Sequence, residues 1–176
     1  KKTLTTNGFW SVATNWLPIG IPTVDDEVVI PSSKIVTLDG NVSLDSLVVN
    51  GQVLGNYKIA ITSLFNLASG TIIGTDTITI NGNAIIGTGD VNGKTIIFKG
   101  NVNRVNGQFN TYGNSILRFD YAAQLTSSFT TSGSNLFYNS QASNCTIENY
   151  GTFFINNTAL MNIYSIGINR IIFKNY

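Results

Sequence analysis

The chain has 176 residues, no histidine, and 10 basic against 9 acidic side chains, a formal net charge of +1. Charged residues make up 11% of it, under half the roughly 25% of ordinary soluble domains, and 23 Asn, 20 Thr, 15 Ser and 17 Gly stand in their place. This excludes a nucleic-acid binder, which needs surplus Lys and Arg for phosphate, and equally a histidine triad, a His-ligated zinc site or a histidine pH switch.

Gly and Asn punctuate the chain at short intervals. Asn7-Gly8, Asn50-Gly51, Asn81-Gly82, Asn92-Gly93 and Asn106-Gly107 are turn dipeptides that tolerate positive φ. Between the turns lie short runs of Ile, Val, Thr, Phe and Tyr that predict strands. In chain order they cover 28–30, 36–38, 47–49, 59–61, 72–73, 77–80, 84–86, 95–98, 116–119, 136–138, 146–147, 152–155 and 171–173. No twelve-residue window keeps a 3.6 period, so the class is all-β. No run of 18 apolar residues exists, so no membrane span is expected. The single cysteine, Cys145, flanks Ile147 in an apolar alternation and reads as a small core residue.

Several runs are doubly apolar and shorter than the strands of a sandwich or barrel. They also recur. Ile59, Ile78 and Ile96 are 19 and 18 residues apart; Ile96, Ile116 and Leu136 are each 20 apart; Phe154 and Ile171 follow after 18 and 17. The string Ile-Ile-Phe-Lys occurs at 96–99 and again at 171–174. A period of 17 to 20 residues with several short strands in each predicts a single-stranded parallel β-solenoid, a β-helix. Residues 32–176 would form about seven or eight rungs, a rod on the order of 35 Å tall. Stacking also accounts for the composition. Asn and Thr hydrogen-bond in ladders at rung spacing, where like charges would repel. An irregular β-sandwich is the competing fold.

Residues 1–31 are set apart as an N-terminal cap segment. They hold Trp10, Trp16, all three prolines and the cluster Asp25-Asp26-Glu27. A first rung exposes a core and an unpaired edge. Trp10 and Trp16 are large enough to cover such a core, and Pro18, Pro22 and Pro31 would stop further pairing. The acidic triplet reads as a solvated turn rather than a Ca²⁺ site, since consecutive residues on a strand point alternately. Trp10, Asn15-Trp16, Gly20, Pro22, Asp26, Val28, Ile30 and Pro31 spell W-x4-N-W-x3-G-x-P-x3-D-x-V-x-I-P. Val36-Thr37-Leu38 and Leu44-x-x-Leu47-x-Val49-x-Gly51 follow. Over residues 8–54 this resembles the opening of repetitive secreted and cell-surface proteins of Bacteroidetes, many exported by the type IX secretion system. The resemblance implies a parallel β-solenoid and a location outside the cell or on the bacterial surface; Trp10, Trp16, Pro22, Asp26 and Pro31 are the candidate cap residues. Such proteins usually carry a C-terminal sorting domain, whereas this sequence closes on Ile171, Ile172, Phe173 and Tyr176 in what reads as a strand. Those four residues are the expected end-to-end interface, self-association into a homo-oligomer or filament the expected partnership.

The remaining candidates are sparse. Asp45-Ser46-Leu47 and Asp76-Thr77-Ile78 match the Asp-Ser/Thr-apolar pattern of Bacteroidetes O-glycosylation, marking Ser46 and Thr77. Glycoside hydrolysis needs two carboxyl groups about 5–10 Å apart. The other acids, Asp39, Asp45, Asp76, Asp90, Asp120 and Glu148, show no pairing at rung spacing. No catalytic residue, metal or cofactor is therefore expected, and an enzyme is not. The expected function is a non-catalytic extracellular structural or adhesive module. A glycan-binding module, with Tyr and Asn on one face meeting surface glycans, is the alternative. A polysaccharide-active β-helix and an ice-binding protein are weaker ones. For ice binding, Thr75-Asp76-Thr77-Ile78-Thr79 is suggestive but not repeated nearby.

Overall fold

Buried side chains alternate with outward ones along most strands, and the buried positions line up from coil to coil. Val28, Leu47, Phe65, Ala84 and Val102 are successive register partners. All five are buried. Phe65 sits directly below Ala84, so a large residue in one coil is offset by a small one in the next, as close packing requires. A second column of Ile30, Val49, Leu67 and Ile86 runs beside it. This alternation makes each strand amphipathic, and only stacking can bury its apolar side.

The computed structural model describes residues 1–100 throughout and, beyond them, Ser115 and the strands from Val102–Arg104 to Ile171–Asn175; side chains are described to residue 100 and at 102, 115 and 116. The chain winds as an all-β, single-stranded parallel β-solenoid with three faces. The strands Val42–Val49 and Ile59–Leu67 each run along two faces and bend between them. In later coils that path is divided, first into Thr77–Ile80 and Asn83–Ile86, then into Thr95–Phe98 and Val102–Arg104. The first face continues through Ile116–Phe119, Cys145–Asn149 and Ile171–Asn175. The second runs from Lys2–Leu4 and Glu27–Ile30 to Phe129–Thr131. The third is a separate 8-stranded sheet running from Gly8–Phe9 to Asn162–Ser165.

The expected columns hold as far as residue 98: Ile59, Ile78 and Ile96 are register partners. Beyond that the 20-residue spacing misaligns them. Ile96 pairs with Leu117, not Ile116, and Leu136 lies in the other sheet beside Gln108. The two Ile-Ile-Phe-Lys strings share the first face but are offset by two residues, since Ile96 shares a column with Leu117, Ile147 and Phe173. The predicted strand 152–155 lies outside the described residues. Residues 1–31 are also continuous with the sheets: Lys2–Leu4 pairs in parallel with the strand Glu27–Ile30, and Gly8–Phe9 with Ile35–Thr37.

Corners, too, are built by stacking. Gly55, Gly74 and Gly93 lie one above another at the corner between the third and first faces, all at positive φ (119°, 153° and 77°). A side chain on Gly74 would collide with the Gly55 carbonyl below it. Asn side chains accept backbone N–H groups from the coil above: Asn7 Oδ1 from Ile35 (2.9 Å), Asn41 Oδ1 from Lys58 (3.0 Å) and Asn56 Oδ1 from Thr75 (3.0 Å). This is the physical reason that amides replace charges in the composition.

Candidate functional site

The N-terminal end is closed by a short antiparallel strand. Trp16–Leu17 pairs with Lys2–Leu4 in the opposite sense to the rest of the sheet, so parallel stacking stops there. Trp10 and Trp16 are both buried in the continuous core. Their rings meet edge to face at 4.8 Å between centroids and 61° between planes. The Trp16 indole N–H donates to the Trp10 carbonyl at 2.9 Å, while the buried Trp10 indole N–H has no partner. Pro22 is buried and Pro31 half-buried. Asp26 accepts from the Thr23 N–H (2.9 Å) and hydroxyl (3.1 Å), and these bonds, the backbone one foremost, hold its carboxyl below the usual range. Glu27 turns instead to Lys1 Nζ at 3.0 Å, and Asp25 is exposed. Asp26 Oδ1 also lies 3.5 Å from the N-terminal ammonium of Lys1, so Lys1 bridges Asp26 and Glu27.

Beside the cap lies a cavity of about 260 Å³. Its walls include Trp10, Ile21 and Pro22 from the cap and Asp39, Asn41 and Ser43 from the first full coil. The strand Val42–Val49 explains why it is there. Val42 to Leu44 pairs with the coil above, but the coil below pairs only from Ser46 onward. The lower edge of that stretch therefore fronts the cavity rather than another strand. Asp39 is held by Ser11, whose N–H donates to Oδ1 at 3.2 Å and whose hydroxyl donates to Oδ2. A second depression of about 370 Å³ lies on the outer side of the first face and includes Lys58, Thr77 and Thr79.

Sequence reasoning overlooked Lys94. Its side chain is fully buried. Its Nζ reaches down to the carbonyl of Tyr57, 37 residues earlier, at 2.9 Å. Burial lowers its pKa from the ordinary lysine value, and attraction to Asp76 opposes that. Lys94 cross-links coils beneath the glycine corner. Gly74 in the coil below makes room for it, since a Cβ there would come within 2.9 Å of Lys94 Cε, but that pairing of positions leaves no signal in the sequence.

Ser46 is 7% exposed, and its hydroxyl donates to Asp45 Oδ2 at 2.8 Å. Asp45 also accepts from the Ser63 hydroxyl, and these two bonds, that of Ser63 first, lower its pKa. Thr77 is half-buried on the outer side of the first face, its N–H held by Asp76 Oδ1 at 2.7 Å. Ile171, Ile172 and Phe173 lie in the strand Ile171–Asn175 at the far end of that face; their side chains, and Tyr176 entirely, lie outside the described residues. Among the described residues no three His, Cys, Asp or Glu side chains converge to hold a metal ion, and no helix is long and apolar enough to cross a membrane. Comparison with protein-family models, curated proteins and solved structures found no match for this chain.

Proposed function

We propose that the chain is a non-catalytic structural or adhesive module that works outside the cell or on its surface as a rigid spacer. The observation that carries this reading is the uninterrupted parallel pairing of backbone from Lys2–Leu4 to Ile171–Asn175, passing from the second face to the first through the long strands Val42–Val49 and Ile59–Leu67. Each coil is held to the next by main-chain bonds, an apolar column, corner amides and, at one level, the buried Lys94. Such a rod resists extension along its axis, because separating two coils breaks many bonds at once. The low charge and amide-rich surface serve stacking rather than chemistry.

Pulling a single molecule from its two ends tests the reading. A spacer is expected to give way coil by coil, in steps of about one coil's contour length, 17 to 20 residues at roughly 3.3–3.6 Å each. Release of the whole chain in one low-force event would overturn it, as would measurable cleavage of a polysaccharide by the folded protein.

A further inference from the structure

We propose that the cavity beside the cap is a binding site for one neutral pyranose ring, the terminal sugar of a glycan. The inference stands apart from the spacer reading, since a spacer without this ligand is still a spacer. It rests on the kinds of group that meet there. Asp39 supplies carboxylate oxygens already oriented by Ser11. Asn41 has its Oδ1 engaged by the Lys58 N–H, which leaves its amide NH2 as donor. Ser43 adds a hydroxyl and, because Val42 donates its N–H upward to Lys58, turns its own backbone N–H and C=O to the opposite edge, where the cavity is. Fixed donors and acceptors thus line the cavity together. Ile21 and Pro22 add apolar lining.

That mixture selects the ligand. No Lys or Arg lines the cavity and one carboxylate does, so an anion is repelled. A single carboxylate does not meet the six to eight oxygen ligands that Ca²⁺ takes. A wholly apolar ligand would strip water from Asp39, Asn41 and Ser43 without replacing their hydrogen bonds. An extended peptide needs a longer free edge, and Asp45, next along, already donates its N–H to the Asp26 carbonyl at 3.2 Å. A sugar ring fits both kinds of lining, with hydroxyls for the polar groups and a C–H face for the proline and isoleucine. The volume of about 260 Å³ lies just under the roughly 300 Å³ at which drug-sized sites begin, which suits one ring rather than a chain.

The test uses the whole chain and the methyl glycosides of glucose, galactose, mannose and N-acetylglucosamine, followed by amide chemical-shift titration. At least one is expected to bind saturably, with Kd on the order of 1 mM and shifts confined to residues around Ser11, Gly40, Asn41 and Ser43. Gly40 is the position for a blocking variant, because it lines the cavity and a side chain there meets nothing within 4 Å. Gly40→Trp is expected to weaken binding at least about tenfold, or 1.4 kcal/mol, with the unfolding midpoint nearly unchanged. Should Gly40→Trp not fold, Ser43→Val is the second blocking variant, with the same loss expected. No saturable binding by any of the four glycosides, shifts that map elsewhere, or binding unaffected by the folded blocking variant would each overturn the proposal.

Discussion

Trp10 and Trp16 make a matched pair of buried indoles that differ in one respect. The Trp16 N–H has an acceptor and the Trp10 N–H has none. Replacing either by Phe removes similar ring volume, but only Trp16→Phe also breaks a buried hydrogen bond and strands the Trp10 carbonyl. Trp16→Phe is therefore expected to destabilise the chain by about 1 kcal/mol more than Trp10→Phe, measured by denaturant unfolding. Equal losses would show that the bond contributes nothing. Lys94 makes a prediction in pH. Its pKa is lower in the folded chain than the ordinary 10.5. Between the folded value and 10.5 the unfolded chain binds more protons, so stability rises with pH across that window. Below the window, burial of the charge is a standing cost. Lys94→Met is expected to flatten the alkaline rise relative to the parent chain. Parallel stability curves for the two from neutral pH to 10.5 would contradict that account.

At the scale of elements, corner glycines set how closely coils approach. Gly74 has φ of 153°, and a side chain there would meet the Gly55 carbonyl and, at 2.9 Å, Lys94 Cε. Gly74→Ala is expected to cost roughly 1–3 kcal/mol, whereas Gly40→Ala, in open space, should stay within about 0.5 kcal/mol. Similar costs at the two sites would mean that corner geometry does not limit stacking. The strands themselves were only partly legible. Runs such as 77–80 and 95–98 announce themselves through Ile and Thr, and the structure places Thr77–Ile80 and Thr95–Phe98 there. Gln52–Leu54, Asp90–Asn92 and Gln108–Tyr112 were missed, because they are short, carry polar residues, and are strands chiefly because neighbours above and below pair with them. The cap tryptophans stood out in the sequence, but the cavity beside them did not. It exists because one strand starts a face before the coil below it does.

At the scale of the whole molecule, the described exterior is apolar at the cap end, where Leu17 (62%), Ile19 (72%) and Val24 (54%) are exposed, large side chains gathered within a short stretch of chain. A net charge of +1 offers little repulsion between copies. If copies associate, as the sequence leads one to expect, we propose that this end is the surface, formed by cap side chains rather than by continued strand pairing, which the antiparallel Trp16–Leu17 interrupts. Sedimentation is expected to show concentration-dependent association that Ile19→Glu weakens. A monomer at every concentration, or association indifferent to Ile19→Glu, would rule this surface out.

The amino-acid sequence by itself determined the all-β class, the repeated coil and the scarcity of charge, because alternation, turn residues and composition are local properties that each coil restates. Only the tertiary structure decided which residue stacks on which, since register depends on the length of every intervening corner, and a change of one or two residues shifts all later columns. It likewise decided what a coil's neighbours leave open. Asp39, Ser11, Asn41 and Ser43 come from a cap loop and a later coil, and they share a cavity because a strand is absent between them. Lys94 and Tyr57 meet because two turns of the solenoid bring positions 37 residues apart to one corner. Such juxtapositions are set by stacking geometry and leave no pattern along the chain.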